Sequence, residues 1–516
     1  MDVQIARVEA HLNALQNIQE HQAPILFFNA STRIHRLSLN GAYSLLASWA
    51  LRAQGHPVRY LVCQQGMVQC ILGTHPQKPG SIPPCTKCMR VSRRLFPDEL
   101  IVPLDLDTAR AKEAQGTLEK ATIEELMDWM YREIPLGHLV LPGLRWALRR
   151  HHLEDDESTR LFYRQYLASC VSMVRSFDQI LAEVQPKAVV LFNGIFYPEA
   201  LLRHMAQQQG IPTITHEVGL QPFSAFFSHQ EATFREVGID AEDDLKPREK
   251  TQLDAYLKQR FQGQFSMAGI QFWGRIGDLP ENLVTHMEKF STVVPIFTNV
   301  IFDTSQIHAN TIFPDMFTWL DGLVNIIDKY PDVLFALRAH PDEDRPGKSS
   351  AESVSAWVRQ TGVDQRNNVV FIGPDQELSS YKLIEQSKFA LVYNSSIGLE
   401  ASILGKPILC AGRARYTQAE TVFFPQDERA YWDQLERMLA ETQIKVPGHF
   451  RVNAEKFLYH ELFRASIDLS EFLESDPTLP GMVALRDFMP EQLLVSPSLQ
   501  TLSKGILLGK KFLLGA

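Results

Sequence analysis

Between residues 292 and 411 the chain repeats one pattern: a short apolar run, then a stretch with apolar residues three and four apart. The apolar runs are "TVVPIFTNV", "VLFALRAHP", "NNVVFIG", "FALVYNS" and "PILCAG". The stretches between them include a helix around 315 to 330, "SAESVSAWVRQTG", "LSSYKLIEQS" and "GLEASILG". Runs this short and this apolar predict strands buried on both faces, which means a parallel sheet covered by helices. The first half opens in the same way, with "PILFFNA", the helical "AYSLLASWALRAQGH" stopped at Gly55, and "PVRYLVC". It resumes with "KAVVLFNG", "YPEALLRHMAQQQG" and "IPTITHE". An α/β fold with two Rossmann-like lobes follows from this alternation.

The 516 residues, 45% of them apolar, suffice for two or three domains. The pattern divides them into an N-terminal lobe at 1–285, a C-terminal lobe at 286–425 and a helical segment at 426–516 that packs on the lobes. Within the first lobe, 63–97 reads as an irregular cysteine-bearing insertion and 105–184 as a helical segment. A net charge of -9 argues against a nucleic-acid surface covering the molecule, and no nucleic-acid partner is expected. The N-terminus lacks the basic-then-apolar plan of a signal peptide, and no run reaches the roughly 18 apolar residues of a membrane span. A cytoplasmic protein is expected.

At the carboxyl end of a parallel strand the next helix begins, and its free N–H groups favour an anion. In "VYNSSIGLEASILGKPIL" that point is occupied by Ser395, Ser396 and Gly398. The hydroxyls can donate, glycine permits close backbone approach, and Glu400 can accept from a sugar hydroxyl. The plainer alternative is a serine N-cap, with Gly405 ending the helix and Lys406 in solvent. In "LRAHPDED" another strand ends on Arg338, His340 and Pro341, residue types that offset phosphate charge and present backbone groups to a base or ribose. A salt-bridged arginine and a structural histidine are the alternative there.

Taken together, "RAHP", "NSSIGLEASILGKPI" and "GRARYT" resemble the C-terminal lobe of bacterial capsule polysaccharide biosynthesis proteins and the related Kdo- and sialyl-type glycosyltransferases, which have the two-lobed GT-B architecture. The arrangement of "LFNGIFYPEALLRHMAQQQGIPTITHEVG" is similar to their N-terminal lobe. The resemblance implies a nucleotide-sugar donor and a glycan or lipid-linked acceptor, for surface or capsular polysaccharide. It implies that His340, taken also as a catalytic residue, and Pro341 line the nucleotide, that Ser395 and Ser396 line the phosphates, and that Arg338 and Glu400 assist. No catalytic metal is expected, and the base should come from the other lobe. Glu217, ending "IPTITHE", is the candidate, with Asn193 and Gly194 positioned for the acceptor and Arg33 and His35 in the first loop facing either substrate. A nucleotide-sugar epimerase and a non-catalytic nucleotide-sugar-binding assembly protein are the alternatives.

Cys63, Cys70, Cys85 and Cys88 have the spacing of a tetrathiolate site, for which structural zinc is expected ahead of an iron–sulfur cluster. His75 is a substitute ligand, and buried or free thiols are the alternative. Cys170 and Cys410 read as core. The tail "LQTLSKGILLGKKFLLGA" sets Leu499, Leu502, Ile506 and Leu513 on one face among lysines. Such a helix either packs on the protein or lies peripherally on the inner, anionic face of a membrane.

Overall fold

Strands of three to six residues rich in Ile, Leu, Val and Phe form at the centre of each sheet where the sequence alternation places them, because the central strands have a core on both of their faces. A computed structural model describes residues 2–15, 22–30, 36–238, 244–262, 277–345, 347 and 349–515; Arg33 and His35 lie outside the described residues. The first sheet contains β1 (Ile25–Phe28), β2 (Val58–Cys63), β3 (Ile101–Leu104), β4 (Ala188–Phe192), β5 (Thr213–Val218) and β6 (Ser224–Ser228). Strands β5-β4-β1-β2-β3 run parallel in that order, and β6 joins antiparallel to β5. Leu26 and Phe28 enter one hydrophobic cluster while Ile25 and Phe27 enter another, so β1 is covered on both sides.

The second sheet contains β7 (Thr292–Phe297), β8 (Val333–Arg338), β9 (Val369–Ile372), β10 (Ala390–Val392) and β11 (Ile408–Cys410), all parallel, in the order β11-β10-β7-β8-β9. The winding of the first sheet is thus repeated. In both, the chain starts in the middle, builds outward to one edge and then crosses to the other side. The crevice at the carboxyl ends of the two central strands is where open α/β sheets bind ligands.

Four expectations need correction. The first lobe ends earlier than 285, because helix Pro247–Phe261 buries Leu253 and Leu257 in the second lobe, beside Phe457, Leu458 and Leu462. The insertion is not irregular throughout: Cys85–Leu95 is a helix, and it precedes the unexpected edge strand β3, whose Pro103 is tolerated at an edge. The segment after 426 is not wholly helical. Helices Glu428–Ala440 and Gly448–Tyr459 stay on the second lobe, then β12 (Ile467–Asp468) pairs with β6 and returns the chain to the first sheet. Finally, helix Pro497–Leu508 buries Leu499, Leu502 and Ile506 in the first lobe, so the apolar face considered for a membrane surface is already covered. No helix among the described residues is long and apolar enough to cross a membrane.

The lobes meet at a clasp. His152, after the first-lobe helix Leu136–Leu148, places Nε2 3.3 Å from Asp315 and Nδ1 2.5 Å from Glu352, both in the second lobe. Hydrogen bonding to Asp315 and then Glu352 raises the His152 pKa to about 10. A raised folded pKa contributes stability that is fully present below the unfolded histidine value of about 6.5 and is lost as pH climbs through the folded one. Thermal unfolding of His152→Gln should therefore show its largest drop in midpoint near pH 6, with the difference from wild type shrinking toward pH ~10.

Candidate functional site: the cleft between the lobes

The carboxyl ends of β7, β8, β10 and β11 open onto a cavity of about 510 Å3, closed from the other side by Trp146, Leu220, Thr233 and Phe234. Arg338, His340, Pro341, Ser395, Ser396 and Glu400 all line it. The last residue of β8, Arg338, is buried, and its guanidinium reaches only the carbonyls of Gln376 at 3.4 Å and Leu378 at 3.5 Å. Among the described residues no carboxylate pairs with it. Burial lowers its pKa to about 10. A buried cation without a counter-charge is costly, so the group this pocket suits best is an anion.

His340 uses Nδ1 to accept the Asp342 N–H at 3.1 Å, which leaves Nε2 to carry the proton of the neutral ring. Burial holds its pKa below the usual histidine range, so the ring acts as a neutral donor. At the switch point the Asn394 side-chain oxygen accepts from Asn299 at 2.7 Å and from Gln306 at 3.1 Å, tying the end of β10 to that of β7.

Ser396 starts helix Ile397–Ile403 without a side-chain capping bond, so its hydroxyl is not consumed as the N-cap alternative would require. That helix has seven residues, and positive charge at the site comes from arginines more than from its dipole. Gly398 does not line the cavity. A Cβ there would stand 2.5 Å from the Tyr416 hydroxyl, which donates to the Ser395 carbonyl at 2.7 Å; glycine lets Tyr416 fix the serine loop. Glu400 is held by its neighbours at the cavity wall: one carboxylate oxygen pairs with Arg260 and the other accepts from Tyr381.

Two arginines escaped the sequence reading. Arg413 lies 4.6 Å from the Phe234 ring centroid, with no carboxylate partner among the described residues. Arg415 pairs with Glu461 at 3.2 Å, and Arg235 shares the same carboxylate. Both line the cavity or its edge directly after β11, where the carboxyl-end rule that singled out Arg338 would have found "GRARYT".

From the first lobe, Glu217 stands at the end of β5, half-buried, with Oε1 accepting from Asn40 at 3.1 Å and from the Val218 N–H at 2.8 Å. Burial raises its pKa, and Asp303 of the second lobe adds to the rise. Its charge acts on Arg415, which lines the cavity as Asp303 does, while Glu217 itself is not part of the cavity wall. Asn193 and Gly194 are placed differently from expectation. Asn193 is buried, and its side-chain oxygen accepts the Ile195 and Phe196 N–H groups at 3.0 and 3.2 Å. Gly194 takes φ +77° beside Thr215. They build the turn after β4, and the Asn193 amide lies beside Glu217.

Among the described residues no group of three or more His, Cys, Asp and Glu side chains is placed to hold a metal ion, so a zinc centre on Cys63, Cys70, Cys85 and Cys88 is not supported.

Residues 283–443 match the family model described as capsule polysaccharide biosynthesis protein. The match takes in β7 to β11 and the cavity-lining residues from Phe297 to Tyr416. No curated protein matches the chain. Among solved structures, the beta Kdo 2,4 transferase KpsC of Thermosulfurimonas dismutans is similar at 13% identity over 60% of this chain and 87% of that one, with TM-score 0.34. The Neisseria meningitidis UDP-GlcNAc 2-epimerase reaches 12% over 84% and 97%, TM-score 0.26, and the Burkholderia multivorans trehalose 6-phosphate synthase 12% over 85% and 94%, TM-score 0.32. At such TM-scores these likenesses carry no weight, and the two-lobed architecture rests on the sheet topology above.

Replacing Glu400 by Gln removes the negative charge that Glu400 sets against the buried Arg260 guanidinium. Urea unfolding should show a loss of about 3–5 kcal/mol. A variant of wild-type stability with only weaker nucleotide binding would instead support the sugar-contacting role.

Proposed function

We propose that the chain is a glycosyltransferase that moves a sugar from a nucleotide-activated donor to a glycan or lipid-linked acceptor in surface polysaccharide synthesis. The observation that carries this reading is that, of the four arginines and four carboxylates lining the cavity, two of the arginines are left unneutralised. Arg338 and Arg413 have no acidic partner among the described residues, and Arg415 shares Glu461 with Arg235. A diphosphate supplies the missing negative charge in the form arginine binds best. The family match over the same lobe supports the assignment.

In this reading the donor phosphates lie against Arg338, the His340 Nε2–H and the Ser395 and Ser396 hydroxyls. Glu217 takes the proton of the acceptor hydroxyl as that oxygen bonds to the anomeric carbon. The bond from that carbon to the phosphate oxygen breaks, its electron pair stays on the phosphate, and the arginines stabilise the charge. A carboxylate whose pKa burial has raised is a stronger base than an exposed one, which suits the task.

Turnover with a nucleotide-sugar donor should fall roughly 10²–10⁴-fold in Glu217→Gln while donor affinity persists. In the wild type, kcat/KM should decline on the acid side with a midpoint above the ordinary glutamate value of about 4.3, since the base must be ionised. Unchanged turnover in Glu217→Gln would remove the acid from its role. Donor converted to an epimer with no acceptor consumed would replace transfer by epimerisation.

A further inference from the structure

The insertion between β2 and β3 gathers four cysteines at one small pocket, away from the nucleotide cleft. Cys63 ends β2, Cys70 follows in the loop, and Cys85 and Cys88 occupy the first turn of helix Cys85–Leu95. All four are free thiols, and all four line the same pocket. We propose that these thiols ligate an iron–sulfur cluster.

The geometry separates this from zinc. A single zinc ion draws four sulfurs to about 2.3 Å from one point. No three of these side chains form such a group, yet together they wall one cavity. Four cysteines that wall one cavity without forming a single-ion group suit a polynuclear centre whose iron and sulfide ions fill the middle.

The loops are built around the sulfurs. Three residues after Cys63 comes Gly66, whose N–H donates to the Cys63 sulfur at 3.3 Å. Three residues after Cys70 comes Gly73, whose N–H donates to the Cys70 carbonyl at 3.0 Å and closes the turn that carries that thiol. Neither glycine admits a side chain. A Cβ at Gly66 would meet the Leu104 carbonyl at 2.5 Å, and one at Gly73 would meet Pro83 at 2.8 Å. The turn after Cys70 is thereby pressed against the two prolines that lead into Cys85. Hydrogen bonds to ligating sulfurs and an apolar surround are the protein's means of tuning such a cluster, and Met67 and Leu72 supply apolar wall here. On assembly each thiol gives its proton to solvent and its sulfur bonds one iron, with iron and sulfide entering as co-reactants and no change in the protein's oxidation state.

The test is metal and sulfide analysis of the full chain purified without oxygen, with visible absorption recorded. Iron and acid-labile sulfide in equal amounts, about two or four of each per chain, are expected, together with the broad visible absorption of thiolate-bound iron. Both should disappear in Cys85→Ser and Cys88→Ser. As a check independent of the folding of those variants, wild-type protein stripped of metal is also incubated with ferrous iron and sulfide, and recovery of the absorption is expected. One zinc and no iron would overturn the proposal. So would wild-type iron content in the serine variants, or a folded chain that takes up no cluster and whose four thiols all react with an alkylating agent.

Discussion

Taking a guanidinium out of water costs several kcal/mol unless a negative charge goes with it. The second lobe does this with Arg338 and supplies only carbonyl oxygens in return. Its backbone has no freedom to escape, since Arg338 pairs with Phe297 on one side and Ile372 on the other in a fully parallel ladder. The rest of the cavity is arranged around this fixed charge. The Asn299–Asn394 bond holds the neighbouring strand ends together, Tyr416 pins the Ser395 carbonyl, and the buried Arg260–Glu400–Tyr381 group settles its own charges so that none competes for the ligand.

The two lobes are joined by more than a linker. The chain enters the second lobe by helix Pro247–Phe261 and returns through β12 to the edge of the first sheet, so the first lobe contains segments from both ends of the sequence. Side-chain pairs across the junction include His152 with Asp315 and Glu352, and His308 with Glu231. The relation between Glu217 and the arginines, on which the proposed transfer depends, is thus set by lobe docking as much as by either sheet.

The sheets were legible because both faces of every central strand are buried, and this shows as uninterrupted apolar runs. Strand β3 was not, since four residues including Pro103 make too short and too ambiguous a signal. The return of the chain in β12 rests on a two-residue pairing whose partner is more than two hundred residues away, and no local pattern reports it. In the site, position at a strand's carboxyl end correctly brought Arg338, His340, Ser395 and Ser396 to one cavity. The same rule did not show that Glu400 is paired and that Asn193 and Gly398 build their own turns, because residue type does not reveal which neighbours a group meets. Arg260 and Tyr381 lie far from Glu400 in sequence and decide its role.

The central claim is that Arg338 holds the phosphates of a nucleotide sugar. Calorimetric titration of the wild-type chain and of Arg338→Gln with UDP, CDP, GDP and CMP tests it most directly. The account predicts saturable binding of one of these nucleotides, weakened at least about tenfold in the variant, as the loss of a charged hydrogen bond worth about 1.5–3 kcal/mol requires. Equal affinity in the two proteins, or no binding of any of the four to wild type, would contradict it.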